Sequence, residues 1–324
     1  MNDYSFLQRK LHQLALSSQI MREAMFDAET SLISTERVYD KHVFVSGLAR
    51  SGTTVLLNAI HRSNEFSSLS YKDMPFVLAP NLWSKVCSDK TNIKYIERAH
   101  GDGITVSVDS PEAFEEVFWM TFDEGDEDTK EKFRGYIYLI NKRYSKKRYL
   151  SKNNQNIKRL ELITKIFPNS KIIIPFRNPI QQANSLFSQH QRFIKYSKSD
   201  AFISDYMKWI GHTEFGPNYV PIHREKLRFS DDLDINHWLE QWYLSYFDCF
   251  RRYRDNTNVH FISYEQLCAS KKHWLSIMQS LDIKHTYDVE FKNTHKEITI
   301  QFDPDIYSEG LSLYNEILRY CCKG

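Results

Sequence analysis

The segment VFVSGLARSGTTVLLNAI, from Val43 to Ile60, narrows the possible folds more than any other stretch of this sequence. It reads as a short buried strand, a loop with two glycines, and a helix that turns Val55, Leu56, Ala59 and Ile60 toward a sheet. A loop at such a junction presents backbone N–H groups and the positive end of a helix, and both stabilise a phosphate. A nucleotide-hydrolysing phosphate loop has the form G-x-x-x-x-G-K-[S/T], with the lysine on the outer phosphates and the hydroxyl on magnesium. Gly47 and Gly52 keep that spacing, but Thr53 stands where the lysine belongs. Arg50, Ser51, Gly52, Thr53 and Thr54 are the candidate phosphate contacts, and none of them requires a metal ion. Arg50 adds a fixed positive charge within the loop, suited to a 5′ phosphate and the group attached to it. Taken alone, the two glycines are better read as a tight turn before a capped helix.

Short apolar runs alternate with longer periodic segments along the chain, which predicts a parallel sheet with helices on its faces. Ile157, Leu160, Ile163 and Phe167 recur at helical spacing, Pro168 and Asn169 stop that helix, and KIIIPF (Lys171–Phe176) reads as a buried strand. A further helix follows Pro179. Ile235, Trp238, Leu239, Trp242, Tyr243, Tyr246, Phe247 and Phe250 mark one face of a long helix and read as core. Val259–Ser263 reads as another strand, and Asp303 with Pro304 opens a last helix carrying Ile306, Leu311, Tyr314 and Leu318. DEGDEDTKEKFR, Asp123 to Arg134, reads as a solvated loop or helix start.

The strand KIIIPF runs into Arg177, Pro179 begins a helix, and Ser185 follows the arginine by eight residues. Arginine and serine so placed can converge on one phosphate at the carboxyl edge of a parallel sheet, where its ligands bind. Two phosphate sites on neighbouring strands imply a nucleotide phosphorylated at two places. GLARSGTT together with FRNPIQQANS resembles the two donor-binding signatures of sulfotransferases, whose donor is 3′-phosphoadenosine 5′-phosphosulfate (PAPS). The resemblance implies a P-loop-like parallel α/β sheet flanked by helices, with the first motif on the 5′ phosphosulfate and the second on the 3′ phosphate. It extends into YLSKNNQNIKRLELITKIFPNSKIIIPFRNP, which is similar to the lysine-containing turn, helix and strand of bacterial and tyrosylprotein sulfotransferases, and into ISYEQL, Ile262 to Leu267. Two departures stand out. The cytosolic small-molecule branch often carries a C-terminal RKG segment on the 3′ phosphate, whereas this chain ends CCKG, and the first loop has arginine in place of lysine. The arginine fits the bacterial, tyrosylprotein and carbohydrate branches better.

Sulfuryl transfer requires in-line positioning, neutralisation of charge on the leaving oxygens, and loss of a proton from the acceptor hydroxyl. The resemblance puts Lys152, in SKNNQN, on the leaving phosphate; by itself a lone lysine reads as a solvated charge. Asp73, in SYKDMPFVLAP, falls where the tyrosylprotein branch has a glutamate pair and is the first candidate base, with a turn or cap role ahead of Pro75 as the other reading. His100, beside Asp102 in ERAHGDG, is the second candidate base or an exposed loop histidine. Glu112, Glu115 and Glu116 read as part of a capped amphipathic helix with Phe114, Val117 and Phe118 inward. Lys142, Arg143, Lys146, Lys147 and Arg148 form a solvated face or the edge of a groove for an acidic glycan.

Composition limits the partners. The chain has 324 residues, 41% of them hydrophobic, enough for one large α/β domain, and no apolar run of the roughly twenty residues a membrane span needs. Residues 1–40 read as an N-terminal helical segment ahead of a single sulfotransferase domain over 41–324. Phe6, Leu7, Leu11, Leu14, Met21 and Met25 mark an amphipathic helix there, unlike a signal peptide. Five cysteines with no CxxC pair suit a reducing cytoplasm, and a net charge of +2 argues against a nucleic-acid partner. The sequence therefore reads as a cytoplasmic PAPS-dependent sulfotransferase that needs no metal and acts on a hydroxyl of a carbohydrate or glycolipid-linked glycan. Two rivals stay open: an ATP-dependent small-molecule kinase, against which Thr53 stands, and a non-catalytic nucleotide-binding protein, which would need no base.

Overall fold

The computed structural model describes residues 5–33, 39–87, 96–97, 105–198, 201–285, 287–293 and 295–321. Two helices, α1 (Phe6–Leu16) and α2 (Gln19–Leu32), stand where the apolar spacing predicts one. Consecutive serines divide them, and the Ser18 hydroxyl caps α2 by accepting from the Met21 N–H. Phe6 and Leu7 are each 77% exposed, and α1 instead buries His12, Ala15 and Leu16.

Next come β1 (Val43–Val45), α3 (Thr53–His61), β2 (Phe66–Ser67) and α4 (Pro80–Val86). A small antiparallel pair, β3 (Ile96–Glu97) and β4 (Thr105–Val106), precedes the short α5 (Glu116–Trp119) and the long α6 (Glu127–Arg143). The acidic stretch thus ends in a helix start, with Glu127 and Asp128 in the first turn of α6, where the helix dipole favours them. Further on lie β5 (Arg148–Lys152), α7 (Leu160–Ile166), β6 (Lys171–Phe176), α8 (Pro179–Ser197), α9 (Ala201–Trp209) and α10 (Ile235–Tyr253). The chain closes with β7 (Val259–Ser263), α11 (Tyr264–Ala269), α12 (Lys271–Ser280) and α13 (Pro304–Cys321). The helical repeat before β6 is split: Asn154–Lys158 form a 3-10 turn, capped by the Asn153 side chain, and only then does α7 begin.

Among the described residues, the five-stranded sheet has the order β2-β5-β1-β6-β7, and every pairing is parallel. Helices cover both faces, so the strands carry apolar residues on both sides. Val43, Val45, Leu150 and Ile173 pack with Leu56, Leu57 and Ile60 of α3 and with Trp274 and Met278 of α12. Phe44, Ile172 and Ile174 point the other way, into a larger core with Phe133, Tyr136, Phe167 and Trp242. The aromatic stripe of α10 is buried at Trp238, Trp242, Tyr246 and Phe250, but Phe247 is 37% exposed and stacks on Tyr243 at 5.5 Å. No helix among the described residues is long and apolar enough to cross a membrane.

Candidate functional site

A cleft of about 690 Å3 opens at the carboxyl ends of β1, β5 and β6 and is lined by residues of both segments that the sequence offers as phosphate-binding candidates. Such a sheet edge is where loops and helix N-termini converge in parallel α/β folds. In the first loop, Arg50 and Gly52 both adopt left-handed backbone, with φ of 68° and 99°. A Cβ at position 52 would sit 2.4 Å from Cδ2 of Tyr264, so glycine is required there on two counts. As N-cap of α3, Gly52 brings no side-chain acceptor to the first amides of the helix. Thr53 and Thr54, in that first turn, line the cleft. Ser51 is fully buried and donates 2.8 Å to the Leu48 carbonyl, so its hydroxyl shapes the loop from within.

The two motifs meet. Nε of Arg50 donates to Oγ of Ser185 at 3.1 Å, across 135 residues of sequence. Arg177, at the end of β6, lines the same cleft; its guanidinium lies 5.4 Å from the centre of the Tyr264 ring and 4.0 Å from the Glu265 carboxylate. Pro179 starts α8, and the Asn178 side chain caps it by accepting from Gln181 N–H. An irregular strap before α13 contributes Lys292 and Lys296 to the lining. Gln181 binds the strap at both amide atoms, accepting from Lys296 N–H at 2.9 Å and donating to its carbonyl at 2.8 Å. These lysines do not belong to either motif; FKNTHKE ahead of the last helix is the sequence signal that points to them.

Lys152 lines the cleft at the end of β5, in register with Val45, the last residue of β1. A cation thus enters beside the loop from the neighbouring strand. Thr53, in the position of the missing lysine, donates to Oδ1 of Asn154 at 3.2 Å, and Nδ2 of Asn154 donates to Glu214 at 2.9 Å. Burial alone would push the Glu214 carboxyl up; His212, Lys152 and Asn154 together hold it below the usual carboxylate range. Glu214 belongs to GHTEFG, between two left-handed glycines, Gly211 (φ 73°) and Gly216 (φ 85°). Gly211 ends α9 in a Schellman arrangement, with His212 N–H bonded to Met207 O at 2.9 Å and Gly211 N–H to Lys208 O at 3.1 Å. His212, Glu214 and Phe215 all line the cleft. None was singled out from sequence, although two glycines bracketing a His and a Glu after a periodic run form a readable turn signal.

Asp73, the first candidate base, is not among the residues that line the cleft. It is 1% exposed, accepts from Ser70 N–H at 2.8 Å and from the Tyr144 hydroxyl, and faces Arg143 at 3.6 Å. Burial raises its carboxyl pKa. These bonds secure the turn that carries Tyr71, whose hydroxyl donates 2.8 Å to Glu112. Tyr71, Glu112 and Glu116 line the cleft, so two of the glutamates read as helix surface face it instead. The third, Glu115, is buried and accepts from Asn156, Trp119 and Tyr149. Glu116 is held by Arg159 at 2.7 and 2.8 Å and by Asn153 at 2.8 Å. His100 and Asp102 lie outside the described residues. Of the basic group, Lys146 binds Asn64, and Arg148 donates to the Lys41 and Leu281 carbonyls, which gives both a structural task.

Comparison with known proteins adds the family. A sulfotransferase from Mycobacterium tuberculosis superposes with a TM-score of 0.50 at 11% identity, over 99% of this chain and 87% of that one. One from Mycobacterium avium gives 0.47 at 13% identity, over 97% and 79%. At such identities the likeness concerns the fold, and the first of the two carries it. No curated protein matches the chain significantly. The profile of the sulfotransferase family, however, matches residues 42–286, from the residue before β1 to a point past α12. That stretch contains both the Gly47–Thr54 and the Arg177–Ser185 segments, Lys152 and the whole parallel sheet, and this chain belongs to the sulfotransferase family.

Proposed function

We propose that this sulfotransferase takes its sulfuryl group from PAPS and delivers it to a hydroxyl of a carbohydrate or glycolipid-linked glycan in the cytoplasm. The observation that carries the donor assignment is the contact between Arg50 and Ser185, which joins the two phosphate motifs at one cleft with Arg177 and Lys152 on the same lining. The loop amides, Arg50, Thr53 and Thr54 hold the 5′ end. Arg177, Ser185 and the strap lysines Lys292 and Lys296 hold the 3′ phosphate, with a charge density that ADP or ATP does not match. Lys152 neutralises the oxygen that leaves with the 5′ phosphate. Thr53 is bonded to Asn154 and does not take the lysine's place in binding outer phosphates, which speaks against a kinase.

Calorimetry without magnesium tests the donor. The product 3′-phosphoadenosine 5′-phosphate (PAP) binds at least tenfold more tightly than ADP or ATP; equal affinities would revive the kinase. Transfer of radiolabelled sulfate from PAPS to panels of sugars, phenols and tyrosine peptides tests the acceptor. Sugars label first on this reading, and preferential labelling of simple phenols would overturn it.

A further inference from the structure

Proton removal from the acceptor needs a base within the cleft, and Asp73 is buried away from it. We propose that His212, oriented by Glu214, is that base. The inference rests on the sulfotransferase reading of the cleft and adds the group that receives the acceptor's proton.

Three features converge on His212. It lines the same cleft as Arg50 and Lys152. Its Nδ1 lies 3.4 Å from Oε2 of Glu214, an approach just short of a formed hydrogen bond; a small turn of the ring onto that carboxylate would favour the tautomer with hydrogen on Nδ1 and the lone pair on Nε2. The imidazole is also fixed in orientation, parallel to the Phe193 ring at 5.8 Å with an interplanar angle of 4°, and edge-on to Phe215 at 4.5 Å. Glu214 is held in turn by Asn154, itself bonded to Thr53 of the phosphate loop, so the pair is tied to the donor side through side chains. Lys152 and Asn154 also favour the ionised form of Glu214, against its burial.

In the step this arrangement serves, the acceptor oxygen forms a bond to sulfur while the bond from sulfur to the 5′ phosphate oxygen breaks. The bonding pair leaves with the phosphate, beside Lys152. The hydroxyl proton passes to Nε2 of His212, and the imidazolium, stabilised by Glu214, releases it to solvent after the sulfated product departs. Glu214 touches neither reactant and is a positioning residue.

The test uses the full chain with radiolabelled PAPS, once with the best acceptor of the sugar panel and once with water alone. His212→Ala lowers transfer about 100-fold, the usual scale for a positioned base, while PAP affinity stays within about threefold. Added imidazole restores part of the loss, which a merely structural role would not allow. Glu214→Gln costs about tenfold in the wild-type background and nothing further in His212→Ala. Transfer by a folded His212→Ala variant at wild-type rates, with Glu112→Gln inactive but binding PAP, moves the base to Glu112 and overturns the proposal. An equal Glu214→Gln penalty in both backgrounds overturns the pairing and assigns Glu214 to Lys152. Failure of the wild-type chain to bind PAP instead removes the donor reading, and the base falls with it.

Discussion

The cleft has two kinds of wall, and they differ in how they are built. The donor wall is made where strands end: the Gly47–Thr54 loop follows β1, Lys152 ends β5, and Arg177 follows β6, with Ser185 two turns into α8. Backbone hydrogen bonds of the sheet set the spacing of these groups. The other wall, with Tyr71, Glu112, Tyr206, His212 and Phe215, comes from turns, from α9 and from a glycine-bracketed loop. Its groups are held by side-chain bonds such as Tyr71 to Glu112, and by aromatic packing. The first design suits an invariant ligand whose phosphates must be met in register; the second can be altered one residue at a time without moving the sheet.

Substitutions separate the walls. The largest expected effect is that of Lys152→Ala, which lowers turnover about 100- to 1000-fold by removing the charge beside the leaving oxygen, with PAP affinity within about threefold. Steady-state kinetics with PAPS and calorimetry with PAP measure the two separately; a purely binding defect would place Lys152 with the phosphates of the product. Next is Arg177→Ala, which weakens PAP binding about 10- to 150-fold, corresponding to roughly 1.5–3 kcal/mol. The penalty shrinks with adenosine 5′-phosphate, which lacks the 3′ group, and a penalty of the same size with both ligands would make Arg177 a structural partner of Glu265.

Ser185→Ala follows, with PAP affinity reduced about three- to tenfold, since Arg50 loses an acceptor while keeping its loop position. No change in affinity would mean that the contact between the motifs contributes only to the empty cleft. Asp73→Asn has the smallest functional effect: donor binding is unchanged and turnover falls no more than about fivefold. Its mark is on stability, roughly 1–3 kcal/mol, because a buried acceptor of two hydrogen bonds is altered. Thermal melts read that loss, and a dead but fully stable variant would return Asp73 to the chemistry.

The segments of the wall assigned here to the donor stood out in the sequence because each is contiguous and carries its own punctuation. Gly47 and Gly52 bracket the loop, Pro179 marks the start of α8, and the arginine stands directly after an apolar strand. Strands β1 and β6 were legible too, since burial on both faces gives nearly unbroken apolar runs, and β7 keeps Val259, Phe261 and Ile262 around His260. The other wall was not. Glu112 and Glu116 lie in a segment whose spacing fits an amphipathic helix, yet α5 spans only Glu116–Trp119 and the chain before it turns Glu112 into the cleft. Asp73 stands at the expected place in sequence, but the bond from Tyr144, 71 residues away, draws its side chain inward. Periodicity reports which face of an element is apolar; it does not report which polar group on the remaining face finds a distant partner.

The register that sets Lys152 beside Val45 makes the sheet a ruler for the charge. A phosphate-loop lysine reaches its ligand by choosing a rotamer, and such a side chain can adjust. Here strand pairing fixes the point at which the lysine leaves the backbone, and a slip of β5 by one residue would move that point by about 3.3 Å and turn the side chain to the opposite face. Phe44 and Leu150 are buried in those two strands and do not line the cleft, yet changes to them reach Lys152 through the pairing. A substitution there disturbs the core and the placement of Lys152 together, so a melting temperature and a rate have to be read side by side.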